Sequence, residues 1–83
     1  MKFPNLKEHQ FSVLMSNSET GIVLNVDLEI HRGDEEKSAY SVFESMEQTK
    51  EFINKISLVN DKIEFIIYNP KQQVVEFIAA KYS

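Results

Sequence analysis

Residues 22–30 of the chain read Ile22-Val23-Leu24-Asn25-Val26-Asp27-Leu28-Glu29-Ile30. The even-numbered residues of this stretch are all apolar, whereas the odd-numbered residues after Val23 are polar and are followed by His31. Because successive side chains of a β-strand point to opposite faces of a sheet, this alternation predicts a long strand with one buried and one solvated face. We therefore expect the sheet to be centred on this strand and the rest of the chain to cover its buried face.

Two more strands are predicted beside it. Residues 11–16 place apolar side chains at alternate positions, and residues 17–21, Asn-Ser-Glu-Thr-Gly, follow directly. Asn and Gly tolerate the positive φ angles of tight turns, so the first two strands should form an antiparallel hairpin. A second break at residues 32–36 is rich in acidic side chains and contains a Gly-Asp pair. Residues 37–43 after this break predict a third strand.

A helix is predicted to begin after Ser45 and to end near Ser57. Ser45 suits the N-cap position, and Gln48 three residues later completes a Ser-x-x-Gln capping box. Side chains recur at three- and four-residue steps along one side of this helix, namely Met46, Thr49, Phe52, Ile53 and Ile56. That side should pack on the buried face of the sheet.

The C-terminal part of the sequence predicts a fourth strand and leaves one alternative open. Residues 63–68 alternate with their buried positions at 63, 65 and 67. Asn69 and Pro70 can begin a turn that leads into a fifth strand, or they can cap and begin a helix within residues 70–82. The β-branched and aromatic run at residues 74–78 favours the strand.

Together these elements predict an α+β fold. We expect a single antiparallel four- or five-stranded sheet with one helix packed on one face, in the order βββαββ. The 83 residues are enough for a single small domain, with residues 1–9 as an N-terminal arm. A chain of this length buries about 60–65% of the surface that its unfolded form exposes, so its stability should be modest.

Composition and charge disfavour several classes of function. The chain has no cysteine and a formal net charge of −4, and it lacks the basic cluster that nucleic-acid binding requires. Its acidity also disfavours an anionic membrane surface, and no stretch approaches the roughly 20 apolar residues of a membrane span. The N-terminal residues lack the apolar run of a signal peptide. We therefore expect a soluble cytoplasmic protein with no nucleic-acid or membrane partner.

The sheet face opposite the helix carries the main functional signal in the sequence. If residues 74–79 form a strand, this face collects six apolar or aromatic side chains, namely Leu14, Val23, Ile66, Tyr68, Val74 and Ile78. An apolar surface of this kind often marks an interface, and homodimers are the commonest way to cover one. The alternative is that the N-terminal arm around Phe3 and Leu6 covers these side chains, or that they are scattered over the surface.

Few residues in the sequence suggest catalytic or metal chemistry. Asp27, Glu29 and His31 project from one face of the predicted central strand and are residue types that bind divalent metals. Residues four apart on a strand are separated by ~13 Å, so one ion cannot bridge all three, and a solvated polar face explains them better. The chain also lacks a thiol, a Gly-rich phosphate loop and a recognisable serine nucleophile. We therefore expect no catalytic, cofactor-binding or metal-binding residues.

The sequence as a whole predicts a small non-catalytic protein-binding domain that self-associates, as a homodimer, through the sheet face opposite the helix. The alternative is an acidic inhibitor or immunity-type protein that caps a basic protein partner. Eight of the thirteen acidic residues lie between Asp27 and Glu51. The acidic surface of this alternative comprises Asp27, Glu29, Asp34, Glu35 and Glu36.

Overall fold

The computed structural model of the chain describes residues 4–24 and 39–81. Within them, five strands form one antiparallel sheet, and a single helix lies on one of its faces. In chain order the elements are β1 (Phe11–Asn17), β2 (Val23–Leu24), β3 (Tyr40–Phe43), α1 (Met46–Val59), β4 (Ile63–Tyr68) and β5 (Val74–Ile78). The predicted α+β class and the order βββαββ are confirmed.

Strand β1 holds the described sheet together. It pairs with β4 along one edge, and along the other it pairs with β3 at residues 11–14 and with β2 at residues 15–16. Residues 12–15 are buried, so β1 is covered on both faces. Among the described residues, the sheet is therefore centred on β1. The predicted central strand at residues 22–30 is described only as far as Leu24, and its residues 25–30 lie outside the described residues.

The hairpin between β1 and β2 is confirmed, and its turn is made as its residue types predict. The backbone N–H of Asn17 donates to the carbonyl of Ile22 at 3.0 Å, and the N–H of Gly21 donates to the carbonyl of Asn17 at 2.7 Å. The Asn17 side-chain oxygen accepts from the N–H of Glu19. Gly21 has a φ of 72°, which glycine adopts without the steric penalty of a side chain.

Helix α1 begins where the sequence predicts it. Ser45 is the N-cap, and its Oγ accepts a hydrogen bond from the backbone N–H of Gln48 at 3.1 Å. The reciprocal bond of the capping box shifts by one residue, because Gln48 Oε1 accepts from the N–H of Glu44 at 3.2 Å. The helix ends at Val59, slightly beyond the predicted end near Ser57.

The C-terminal alternative is resolved as a strand. Asn69 caps the β4–β5 turn, because its Oδ1 accepts from the backbone N–H groups of Lys71 at 2.9 Å and Gln73 at 3.0 Å. Gln72 has a φ of 60°, and this conformation belongs to the turn that reverses the chain so that β5 pairs with β4. The Asn69 side chain accepts hydrogen bonds from backbone N–H groups of the turn. Residues that could have capped a helix therefore form the turn of a β-hairpin instead.

The main core lies between the sheet and α1. Its buried members are Val13, Met15, Leu24, Ile53, Ile63, Phe65 and Ile67. The rings of Phe43 and Phe52 close one side of this core, with centroids 4.7 Å apart. Burial of a side chain such as Phe65 stabilises the fold by about 1.5–3 kcal/mol, so this layer supplies most of the driving force for folding.

Candidate functional site

The second face of the sheet, which is the face opposite α1, is built from two cross-strand rows. Register places Val42, Ser12, Tyr68 and Val74 side by side in row one, across β3, β1, β4 and β5. Row two consists of Tyr40, Leu14, Ile66 and Phe77. Facing residues of paired strands share a face, so these eight side chains form one surface. Neither row contains a charged side chain.

The middle of the second face is packed. Leu14 and Tyr40 are buried together with Ala39, and Val23, Ile66 and Tyr68 pack against them. Burial raises the pKa of the Tyr40 hydroxyl, and the neighbouring Tyr68 hydroxyl raises it further. Ser12 is also buried, and within the described part of the chain its Oγ has no hydrogen-bond partner.

The margins of the second face are exposed. Val42 at the β3 side is 43% exposed, whereas Val74 and Phe77 at the β5 side are 59% and 53% exposed. Large apolar side chains are normally scattered when they face water, but here they continue the same two rows as the buried middle. The exposed residues therefore extend one apolar surface outward, and they are most exposed along β5.

Most of the predicted interface residues meet on this face. Leu14, Val23, Ile66 and Tyr68 belong to one cluster. Val74 lies beside Tyr68 at the β5 margin.

The prediction for Ile78 is wrong, because this side chain packs against the core on the helix side. The register explains why. Glu76 faces Ile67 but Val74 faces Tyr68, so Val75 is an extra residue in a bulge. The sequence prediction assumed strict alternation along β5 and therefore assigned Ile78 to the same face as Val74. Because of the bulge, Phe77 lies on that face instead, opposite Ile66. The sequence prediction also left out Tyr40 and Val42, which lie on the second face. Both occupy alternate positions of the predicted third strand, and this alternation could have assigned them to that face.

Charged groups are absent from rows one and two, but they lie next to these rows and on the helix side of the sheet. Glu64 lies on the second face in the cross-strand row next to row two, where it faces Ser16 and accepts a hydrogen bond from Ser16 Oγ at 2.9 Å. On the helix side, Lys50 Nζ lies 2.5 Å from Glu76 Oε2, which joins α1 to β5. Lys62 Nζ lies 3.0 Å from Glu19 Oε1, and this carboxylate raises the pKa of the lysine.

The N-terminal arm, described from residue 4, contacts the junction of β3 and α1. Gln10 Nε2 donates to Glu44 Oε2, and His9 Nε2 lies 3.4 Å from Glu44 Oε1. The hydrogen bond from Gln10, followed by the contact with His9, lowers the pKa of the Glu44 carboxyl. The arm is therefore anchored by polar contacts at its last residues.

A shallow groove of about 310 Å³ lies between the arm and the β4–β5 turn. Its lining residues are Glu8, Phe11, Asn69, Pro70, Lys71 and Gln73. The Asn69 side chain is already used by the turn, since its Oδ1 accepts two backbone N–H groups and its Nδ2 donates to Gln73 at 3.0 Å. The Asn69 side chain therefore serves the turn rather than the groove.

The predicted acidic surface and the metal-type triplet cannot be placed. Asp27, Glu29, His31, Asp34, Glu35 and Glu36 all lie outside the described residues. Over residues 4–24 and 39–81, the structure contains no group of three or more His, Cys, Asp or Glu side chains that could hold a metal ion. In the same ranges, no helix is long and apolar enough to cross a membrane.

No protein-family model, curated protein or solved structure matches this chain. Function must therefore be inferred from the geometry and charge of the second face.

Proposed function

We propose that this chain is a small non-catalytic domain that binds protein, and that its partner is a second copy of itself. The binding surface is the second face of the sheet. One observation carries the proposal: Val42, Val74 and Phe77 are exposed on the same face as the partly buried Ile66 and Tyr68. The middle of the face is already buried, so the apolar side chains that face water are those at its margins, and association would cover them.

The composition of this face also fits a protein interface. The centres of such interfaces are depleted of charged residues and enriched in aromatic side chains, and the two rows contain three aromatic rings and no charge. Tyrosine is suited to this position because its ring is apolar and its hydroxyl can remain hydrated. Closed two-fold dimers use the same patch on both copies, so one apolar patch is sufficient. The absence of cysteine supports a reducing cytoplasmic setting for this domain.

The experiment is sedimentation equilibrium at micromolar protein concentration, with one test variant and one matched control. Phe77→Lys places a charge at the β5 margin of the second face, whereas Leu58→Lys makes the same change at a side chain of α1 that is 84% exposed. We expect the unaltered chain and Leu58→Lys to be dimers and Phe77→Lys to be a monomer. A monomeric unaltered chain, or equal dissociation by both variants, would refute the proposal.

An acidic inhibitor or immunity-type protein remains the second proposal. Its support is the uneven charge of the sequence, since eight of the thirteen acidic residues lie between Asp27 and Glu51. Such a protein would bind a basic partner through attraction between opposite charges, which salt screens. Recovery of a basic partner should therefore fall as salt is raised. Recovery that is unchanged between low and high salt would argue against this function.

A further inference from the structure

We propose that two copies join by antiparallel pairing of their β5 strands around a two-fold axis at Glu76, which makes one continuous sheet across the dimer. This inference rests on the self-association proposed above and specifies its geometry. The contact is then the β5 edge and the β5 margin of the second face, rather than one sheet packed face to face on another.

Strand β5 has the properties of an edge that accepts another strand. In the described sheet it pairs along one edge, with β4. Val74, Val75 and Phe77 are all exposed, by 59%, 45% and 53%. The outer edge of such a strand presents backbone N–H and C=O groups that a further strand can satisfy, and this is the basis of strand addition between chains.

The usual protections of an edge are weak here. Edge strands are commonly guarded by proline, by charged side chains such as lysine or by β-bulges, and residues 74–78 contain neither proline nor lysine. Their one charged residue, Glu76, is held by Lys50 on the helix side of the sheet. The bulge at Val75 is confined to the start of the strand, since residues 76–78 pair in regular register with residues 67–65.

The sequence of β5 is complementary to itself in one register. With Glu76 facing Glu76 of the second copy, Val75 faces Phe77 of the second copy, and the pairing spans residues 75–77 of each copy. A β-branched residue opposite an aromatic residue is a favourable cross-strand pair, and the two-fold axis creates the Val75–Phe77 pair twice. Moving the axis to Val75 or to Phe77 would instead place Glu76 opposite an apolar residue.

Charge is compatible with this register. The two Glu76 carboxylates would lie next to each other, which is unfavourable for unpaired charges. Each carboxylate already has the Lys50 ammonium of its own copy 2.5 Å away. The two ammonium groups would flank the two carboxylates on the helix side of the dimer sheet and offset their repulsion.

Cysteine cross-linking tests this geometry directly, because the chain has no native cysteine. Facing residues of antiparallel strands have Cα atoms about 4.5–5.5 Å apart, within the range of roughly 4.4–6.8 Å that a disulfide spans. Mixing Val75→Cys with Phe77→Cys should give an intermolecular disulfide under mild oxidation much faster than either variant alone. Leu58→Cys, on the exposed end of α1, is the matched control and should cross-link slowly.

Two results would overturn β5 pairing while leaving self-association intact. One is a dimer in sedimentation whose disulfide forms fastest with Val42→Cys, at the opposite margin of the second face. The other is a dimer in which the mixture cross-links no faster than Leu58→Cys. A monomer in sedimentation would refute self-association itself. As a second measurement, hydrogen exchange of the β5 amides should slow as protein concentration rises, and exchange that is independent of concentration would count against the pairing.

Discussion

The rings of Tyr40 and Tyr68 meet edge to face, with their centroids 6.0 Å apart and their planes inclined by 71°. Tyr40 belongs to β3 and Tyr68 to β4, which flank β1 on opposite sides. The two rings therefore meet across β1, above a strand whose own side chains on this face, Ser12 and Leu14, are buried. Edge-to-face pairs add about 0.5–1.5 kcal/mol beyond the burial of their area, so this contact helps to hold three strands in one surface.

The first prediction concerns this contact. Tyr40→Ala should lower the free energy of unfolding by about 3–4 kcal/mol, because it removes a buried ring and leaves a cavity. Tyr40→Phe keeps the ring and should cost clearly less. Urea unfolding measures both, with Val42→Ala at the exposed margin of the same strand as the control. Equal losses for Tyr40→Ala and Tyr40→Phe would show that the ring contact is not what matters.

The second prediction is a pH dependence at the alkaline end. Burial, and then the Tyr68 hydroxyl, raise the pKa of Tyr40 in the folded chain above the usual value of about 10. The neutral form is therefore favoured by folding. Its contribution to stability is fully present below pH ~10 and is lost as the pH rises through the folded pKa.

Unfolding free energy measured across this pH range should fall less steeply for Tyr40→Phe than for the unaltered chain. Ultraviolet absorbance should also show that one tyrosine ionisation above pH ~10 is missing from the variant. Superimposable pH profiles of the two proteins would contradict the prediction.

The third prediction tests the bulge in β5. Ile78→Lys should destabilise the folded chain by about 2 kcal/mol, because Ile78 packs against the core on the helix side. Phe77→Lys should change the stability of the isolated chain by less than about 1 kcal/mol, since Phe77 is 53% exposed. Both are measured by urea unfolding in dilute protein, where association does not contribute. The opposite ranking would show that the alternation of β5 had been assigned to the wrong faces.

The fourth prediction compares two turns whose residues have positive φ. Gly21 has a φ of 72° with no atom within 4 Å of the position that a Cβ would occupy. Gly21→Ala should therefore cost about 1–2 kcal/mol through backbone strain alone. Gln72 has a φ of 60°, so Gln72→Gly should relieve strain and raise stability by up to about 1 kcal/mol. Thermal unfolding should show shifts of opposite sign, and two shifts of the same sign would contradict this account.

The fifth prediction concerns the anchor of the N-terminal arm. The hydrogen bond from Gln10 is the largest cause that lowers the pKa of the Glu44 carboxyl, and the contact with His9 is the next. A carboxyl whose folded pKa is lowered adds stability above its ordinary pKa and loses it as the pH falls through the folded value. An NMR titration of Glu44 should therefore move back toward its ordinary midpoint in Gln10→Ala, and by a smaller amount in His9→Ala. An unchanged midpoint in Gln10→Ala would show that the arm is not anchored there.

Local chemistry made several elements predictable from the sequence. Ser45 and Gln48 define the start of α1 because a hydroxyl oxygen and a backbone N–H three residues apart meet by helical geometry alone. The buried positions 63, 65 and 67 of β4 follow from alternation, and the turn before β2 follows from the residue types of 17–21. In each case the interacting groups are close in sequence, so their positions need no knowledge of the rest of the fold.

The candidate site was predictable in part for the same reason. Alternation within single strands placed Leu14, Ile66 and Tyr68 together on the second face, and the structure brings them together. It failed at Ile78, because a bulge changes the face of every later residue and is created by pairing with β4 rather than by β5 itself.

What the sequence alone determined is therefore the class of the fold, the start of its helix and the apolar character of the sheet face opposite that helix. Only the tertiary structure decided that β1 carries three neighbours, that Phe77 rather than Ile78 lies on the second face, and that Tyr40 meets Tyr68 across β1. The physical reason is range, because hydrophobic periodicity is set residue by residue, whereas strand order and register depend on which distant segments exchange backbone hydrogen bonds.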